Sequence, residues 1–316
     1  MDLKKEWFMN NDSQKALNDL VSVHLGRAGD GSVVKPYVTP DTVDPSLLVA
    51  VPRYLNRTAY NLVENDLPFV GIDAWNAYEF STLTLNGFPI SGWLKFTYPA
   101  SSPNIVESKS VKLYLNSYNM ARLIRNEGDI WKIEDKIAND LSNIVGVEVV
   151  VFLRTGDIDT SRPMTGDFVS LESYCNVDKM NFDRYNESAD ILEVVPSIGR
   201  FERWRSHSLR SNCRVTNQPD WGDVYVHIKG KTSVTPESLL QYIVSMRKEN
   251  HFHEEICECI YKRLYDLLQP EELLVTCLYT RRGGIDINPT RASNYELYRL
   301  APVIDSYNFC TKTARQ

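Results

Sequence analysis

Two stretches of the chain carry the same spacing of apolar residues. Ile133, Ile137, Leu141 and Ile144 are separated by 4, 4 and 3 residues, and Ile256, Ile260, Leu264 and Leu267 repeat that spacing 123 residues later. Each set forms a single stripe on a helix of 3.6 residues per turn. Each helix is followed by an apolar, β-branched run, Val147 to Leu153 and Leu273 to Tyr279, which predicts a strand. Trp93 to Tyr98 and Asp223 to Lys229 predict earlier strands, each leading into a further helix. Thr235-Pro236-Glu237 marks the start of one of these, with a cap residue, a proline at the first helical position and an early acid. The repeated order of strand pair, two helices and strands predicts a duplicated α+β domain, with antiparallel sheet on one side and helices on the other.

A polar crossing segment from Arg154 to about Arg205 holds two more strand candidates, Phe168 to Tyr174 and Ile191 to Val195. The first 50 residues carry a helix candidate, Gln14 to Leu25, then a loop with Gly26, Gly29 and Gly31. That spacing is not the dinucleotide fingerprint, and no strand precedes it. The division expected is 1–50 for the N-terminal helix and loop, 51–185 for the first module and 186–316 for the second. The run from Ile144 to Leu153 is too short for a membrane span, carries Glu148, and reads as a buried strand.

A length of 316 residues with 43% hydrophobic content supports two cores. A net charge of -6 argues against a general nucleic-acid binder, which needs a cationic face. The first residues contain no apolar signal region, and six irregularly spaced cysteines suggest free thiols in a reducing, cytoplasmic setting.

Four segments carry chemistry. Cys213 lies seven residues before Asp220, across turn-forming Asn217, Gln218 and Pro219, so a nucleophilic thiol and a proton-handling acid can face one cavity. Cys213 could equally be a buried cysteine, and Asp220 a turn residue. Val106, Glu107, Ser108 and Lys109, with Ser110 and Lys112, read as a helix start and also as a phosphate-contacting group. His253 and Glu254 suit the donors and acceptors of a heterocycle. His251, His253, Cys257 and Cys259 invite a zinc reading, but they lack a CxxC or HExxH pattern, and no metal site is assigned. Arg281-Arg282-Gly283-Gly284 is either a surface turn or a cradle for an adenosine phosphate.

In this order, the four segments resemble the two-module form of the QueF family of NADPH-dependent 7-cyano-7-deazaguanine reductases. Asp44-Pro45-Ser46-Leu47-Leu48, Leu67-Pro68-Phe69 and Asp73-Ala74-Trp75-Asn76-Ala77-Tyr78-Glu79 add family-like phrases, so the resemblance covers nearly the whole chain. It implies tandem tunnelling-fold (T-fold) modules. The activity implied is reduction of a 7-deazaguanine nitrile to the aminomethyl base in queuosine biosynthesis, with NADPH as cofactor. Cys213 sits at the nucleophile's position, forming a thioimide, and Asp220 at the proton donor's. Val106, Glu107, Ser108, His253 and Glu254 match substrate contacts, with His253 also expected in the catalytic set. Ser108, Lys109, Arg282 and Gly283 match cofactor contacts.

The pocket is expected where the modules meet, within or between subunits, in a homodimer without nucleic-acid or membrane partners. Arg214 departs from the family pattern and is expected to favour the thiolate. His251 departs as well. The alternatives are an amidine-forming relative acting on the same nitrile and a purine- or pterin-binding module without catalysis.

Overall fold

The computed structural model describes residues 40–155, 168–197, 201–214 and 217–298. The expected helix from Gln14 to Leu25, the glycine loop after it, Val215, Thr216 and Cys310 lie outside these residues. The first half runs β1 (Val70–Thr84), β2 (Pro89–Pro99), α1 (Ser108–Asn116), α2 (Trp131–Val145) and β3 (Val150–Thr155). The second runs β4 (Glu202–Cys213), β5 (Pro219–Lys229), α3 (Pro236–Ser245), α4 (His253–Leu268), β6 (Glu272–Tyr279) and β7 (Ile285–Ala292). Both halves follow the α+β order of strand, strand, helix, helix, strand, and the second adds one more strand, β7.

The strands merge into one sheet in the order β4-β5-β6-β7-β1-β2-β3, each of these neighbours antiparallel. The two halves join at β7 and β1, where Ile285 lies opposite Ala77, Ile287 opposite Trp75 and Pro289 opposite Asp73. The Asp73–Glu79 phrase and the residues Ile285–Pro289 that directly follow the Arg281–Gly284 segment, more than 200 residues apart, are therefore the two sides of the seam.

Each half keeps its own helix-side core. Ile133, Ile137, Leu141 and Val145 of α2 pack with Val111 and Tyr114 of α1 against Leu94 and Phe96 of β2. Ile256, Ile260, Leu264 and Leu268 of α4 pack with Leu239 and Ile243 of α3 against Val224, Val226 and Val275. Burying each such side chain contributes about 1.5–3 kcal/mol.

Both stripes differ from expectation at their last position. Val145 and Leu268 are buried, whereas Ile144 is only partly buried and Leu267 is 41% exposed. The cause is the helix end. Gly146 and Gln269 cap the helices in the left-handed conformation, at φ 81 and φ 43, and turn the chain back toward the sheet. The residue just before each cap is the one tucked inside.

The apolar run from Ile144 to Leu153 is accordingly divided between a helix end and an edge strand, and is not one buried strand. The candidate from Phe168 to Tyr174 is a strand only at Val169–Ser170, followed by a helical turn, Leu171–Tyr174, that buries Leu171 in the second core. In place of a strand from Ile191 to Val195, a 3-10 turn ends at Ile191 and a strand spans Val194–Pro196.

Beneath the seam lies a buried ion cluster. Arg53 and Arg291 bind Asp73, the latter at 2.8 Å, while Arg57 and Arg291 bind Glu258 at 2.8 and 2.9 Å. Asp73 comes from the first half and Glu258 from the second. Burial pushes both carboxyls up, but the surrounding guanidiniums outweigh it, so Asp73 sits below its usual range and Glu258 at about 2. Among the described residues, no helix is long and apolar enough to cross a membrane.

Candidate active site

A cavity of about 310 Å3 opens at the seam, floored by Trp75, Ile285 and Ile287. Around it stand Cys213, Asp220, His253, Glu254, Val106, Glu107, Ser108, Lys109, Arg282 and Gly283, with Lys112 beside them, whereas Ser110, Arg281 and Gly284 of the same segments are not on its lining. They come from both halves, so the pocket forms within a single chain.

Cys213 is the last residue of β4, at the mouth of the β4–β5 hairpin. Its N–H donates to the Gln218 carbonyl at 2.8 Å and its carbonyl accepts from Asn217 N–H at 2.9 Å, with Asn217 at φ 55 closing the turn. Asp220 lies opposite Ser211 in register, which brings its carboxylate back to the thiol's cavity. Asp220 is 4% exposed. One carboxylate oxygen accepts from Arg282 Nη1, and the other lies 3.4 Å from His253 Nε2. Burial pushes the Asp220 carboxyl up, but His253 and Arg282 together pull it below its usual value. The His253 ring is held flat on Tyr279, with centroids 3.8 Å apart and an interplanar angle of 7°.

Two carboxylates flank the opposite wall. Glu107 is the N-cap of α1, its Oε2 accepting from Ser110 N–H at 2.7 Å. Burial raises its carboxyl despite the N–H groups of Lys109 and Ser110. Glu254, in the first turn of α4, is 2% exposed, and its Oε1 has no hydrogen-bond partner among the described residues. Burial, then the nearby negative Asp73, pushes Glu254 up to about 8. An acceptor sealed off without a donor is costly unless a ligand supplies one.

The cations gather at one end. Lys109 and Lys112 project from the first turns of α1 toward the cavity, beside Arg282. Gly283 takes φ +57, and a Cβ there would come within 2.7 Å of Lys112 Nζ. The glycine thus lets the lysine lie across the turn. Three cations beside an open glycine backbone suit a phosphate-bearing cofactor.

Arg214 does not face the thiol as a free charge. Its Nη1 donates to Glu255 Oε1 at 2.6 Å. The five cysteines among the described residues are unpaired, and no group of three or more His, Cys, Asp or Glu residues there is arranged to hold a metal. Cys257 and Cys259 are packed in the core of the second half.

The sequence pattern assigns no role to Tyr279 beneath His253, or to Trp75 and Phe252 on the cavity wall. For Trp75 the available signal is its place within the Asp73–Glu79 phrase. For Tyr279 there is none beyond its position at the end of a strand.

These features define an α+β protein of two similar halves, with a thiol, buried carboxylates and a cationic rim around one cavity at the seam between them. Residues 39–153 match the family described as nitrile reductase, 7-cyano-7-deazaguanine-reductase N-term, and residues 219–297 match that described as QueF-like protein. The NADPH-dependent 7-cyano-7-deazaguanine reductase of Bordetella bronchiseptica is 39% identical over 279 residues, 88% of this chain and 95% of its own length. The enzyme of that name from Colwellia psychrerythraea is 40% identical over 265 residues, 82% of this chain and 90% of its own. Among solved structures, the archaeosine synthase QueF-Like in the apo form matches over 32% of this chain and 95% of its own, at 17% identity and a TM-score of 0.27. The chain belongs to the family of NADPH-dependent 7-cyano-7-deazaguanine reductases.

Proposed function

We propose that this protein reduces the nitrile of 7-cyano-7-deazaguanine to the aminomethyl group with NADPH, through a covalent adduct on Cys213. The observation that carries the reading is the convergence of Cys213, Asp220, Glu107, Glu254 and the cations of the rim on one cavity.

A nitrile carbon is a weak electrophile, and thiol addition converts it to a more polarised C=N group. Asp220 is held ionised by Arg282 and His253, so it accepts the proton leaving Cys213 and returns it to the nitrile nitrogen. The S–C bond forms as one C–N π bond breaks, and no net proton is taken up. Glu107 and Glu254 accept from the ring and amino N–H groups of the guanine-like edge, with Val106 and Ser108 beside them. Lys109, Arg282 and Gly283, with Ser108, fit the phosphates of NADPH, which would supply one hydride each time it is bound, two molecules in turn giving the two that the nitrile needs. Loss of Cys213 from the half-reduced carbon frees the thiol and leaves an imine that must be kept from water until the second hydride arrives.

The expected product belongs to the queuosine pathway, and the site of action is the cytoplasm. The two tunnelling-fold modules are the halves joined at β7 and β1. Among the described residues the sheet ends at β3, and such an edge favours pairing with a second copy, so the protein is a homodimer. Sedimentation at micromolar concentration tests that assignment, and a monomer refutes it.

Intact-mass measurement after mixing with the nitrile tests the chemistry. The protein gains the mass of the nitrile, and Cys213→Ala does not. Consumption of two NADPH per nitrile separates reduction from the amidine-forming alternative, which uses none.

A further inference from the structure

The proposed reduction takes up more protons than the Cys213–Asp220 pair provides. Addition of the thiol is proton-neutral, because the nitrogen receives what sulfur loses. The remaining steps are not: R–C≡N + 2 NADPH + 2 H+ gives R–CH2–NH2 + 2 NADP+. Both protons must come from solvent, yet a cavity that protects an imine excludes water. Protein groups therefore have to carry them in.

One side chain is placed for this and has no part in the proposed scheme. Residues Asn250–His251 run parallel to the end of β4, with His251 in register beside Cys213. His251 lines the same cavity, its side chain 16% exposed. Nδ1 lies 3.2 Å from Glu255 Oε2, and Nε2 lies 3.4 Å from both Glu249 Oε2 and the Tyr60 hydroxyl. Glu255 is fixed in turn by Arg214.

Glu249 faces the other way. It is half-buried, and its Oε1 takes up Glu187 N–H at 2.9 Å and the exposed Asn186 amide at 3.3 Å. The line from cavity to surface is thus His251, then Glu249, then solvent.

We propose that His251 is a proton-relay residue that passes protons from Glu249 at the surface into the Cys213 cavity during the two hydride steps. This rests on the nitrile-reduction reading and adds a route that the reading lacks. Supporting it, the groups facing His251 are Glu249, Glu255, Tyr60 and Arg214. Burial would lower the imidazole and Arg214 adds to that, but the two carboxylates win and raise it to about 9. The ring therefore carries a proton at neutral pH. Its neighbours Glu249 and Glu255 are both held below their usual range, so the resting proton is on the ring and Glu249 holds one only in passing from solvent to His251.

His251→Gln keeps the size and hydrogen-bonding capacity but cannot relay a proton. Two rates are compared: adduct formation by intact mass without NADPH, and reduction of the preformed adduct by NADPH in a single turnover. The adduct rate is expected to stay within about twofold, while reduction falls by about tenfold or more. Added imidazole is expected to restore part of the loss. Unchanged reduction overturns the proposal, and so does an equal fall in both rates, which would mean that His251 merely supports the Cys213 strand. Should His251→Gln not fold, Glu249→Gln at the outer end is measured in the same way, and the same two results overturn the proposal. Absence of an adduct in the unaltered protein is a different result, and refutes the nitrile reading itself.

Discussion

Arg282 and Asp220, separated by 62 residues in sequence, form an ion pair across the cavity, and the same guanidinium also donates to Gln218 Oε1. A residue whose position suits a cofactor phosphate thus rests on the acid expected to move the substrate's proton. The two partners compete for one guanidinium. Cofactor phosphate that draws Arg282 away leaves Asp220 with the His253 ring, 3.4 Å from its other oxygen.

Asp220 is depressed by His253 and Arg282, so it stays ionised to a lower pH than an ordinary aspartate. Arg282→Ala removes one of these causes and lets the carboxyl rise. Adduct formation needs the ionised form, so its acid limb is expected to move to higher pH in Arg282→Ala, as read from adduct rates by intact mass across pH. The Michaelis constant for NADPH is expected to rise more than that for the nitrile. Asp220→Asn is expected to slow the adduct by about a hundredfold or more while leaving non-covalent binding largely intact. Superimposable pH profiles for the unaltered protein and Arg282→Ala would remove the ion pair from the mechanism.

Glu254 gives a second pH dependence with its own signature. Burial and Asp73 push its carboxyl up to about 8, so in the empty cavity it carries a proton at neutral pH. Acceptance of N–H groups from a guanine-like edge favours the carboxylate, so the base displaces that proton when it binds. Affinity is then expected to weaken as pH falls below about 8, by up to about tenfold per unit. Calorimetry in buffers of different ionisation enthalpy checks this directly, through release of a proton on binding at pH 7. With Glu254→Gln, that release should vanish. No proton release in the unaltered protein would count against this assignment.

Much of this site is legible in the sequence, but for unequal reasons. Amphipathic stripes announce themselves, so α2 and α4 are found with an error only at the capped end, where left-handed Gly146 and Gln269 override the period. The Cys213–Asp220 hairpin is legible because Asn217, Gln218 and Pro219 are turn residues. The seam is not. All eight residues of β7 are buried, including Asp286, Asn288, Thr290 and Arg291, so the alternation that marks a half-exposed strand is missing.

Pairing supplies what hydropathy cannot. Asp286 accepts from Asn76 at 2.7 Å and from Tyr78 at 2.6 Å, satisfying a buried acid across a gap of some 200 residues. The Asn288-Pro289 dipeptide reads as a breaker locally but lies in the middle of the sheet, opposite Ala74 and Asp73. The Arg214–Glu255 contact is hidden similarly, since Glu255 is 41 residues away.

The ion cluster at the seam yields the last prediction. Arg53, Arg57 and Arg291 share two anions, Asp73 and Glu258, all buried. Glu258→Gln leaves Arg53 and Arg291 with Asp73 alone and Arg57 with only the more exposed carboxylate of Glu64, 3.5 Å away, and loss of one partner from a buried pair costs about 3–5 kcal/mol. The pH dependence has a definite direction. Glu258 falls from an ordinary 4.5 to about 2, and Asp73 is lowered too, so their contribution is fully present above the unfolded values. It is lost as pH drops from about 4.5 toward 2. Urea unfolding at a series of pH values should show the unaltered protein losing stability steeply over that interval. Glu258→Gln should start less stable at pH 7 and lose less on acidification, because one of the titrating groups is gone. Since Asp73 and Glu258 come from different halves, the same variant should also bring unfolding of the two helix-side cores apart. Two transitions by hydrogen exchange, where the unaltered protein gives one, would mark the cluster as the link between the halves; a single transition in both proteins would assign that link to the β7–β1 pairing alone.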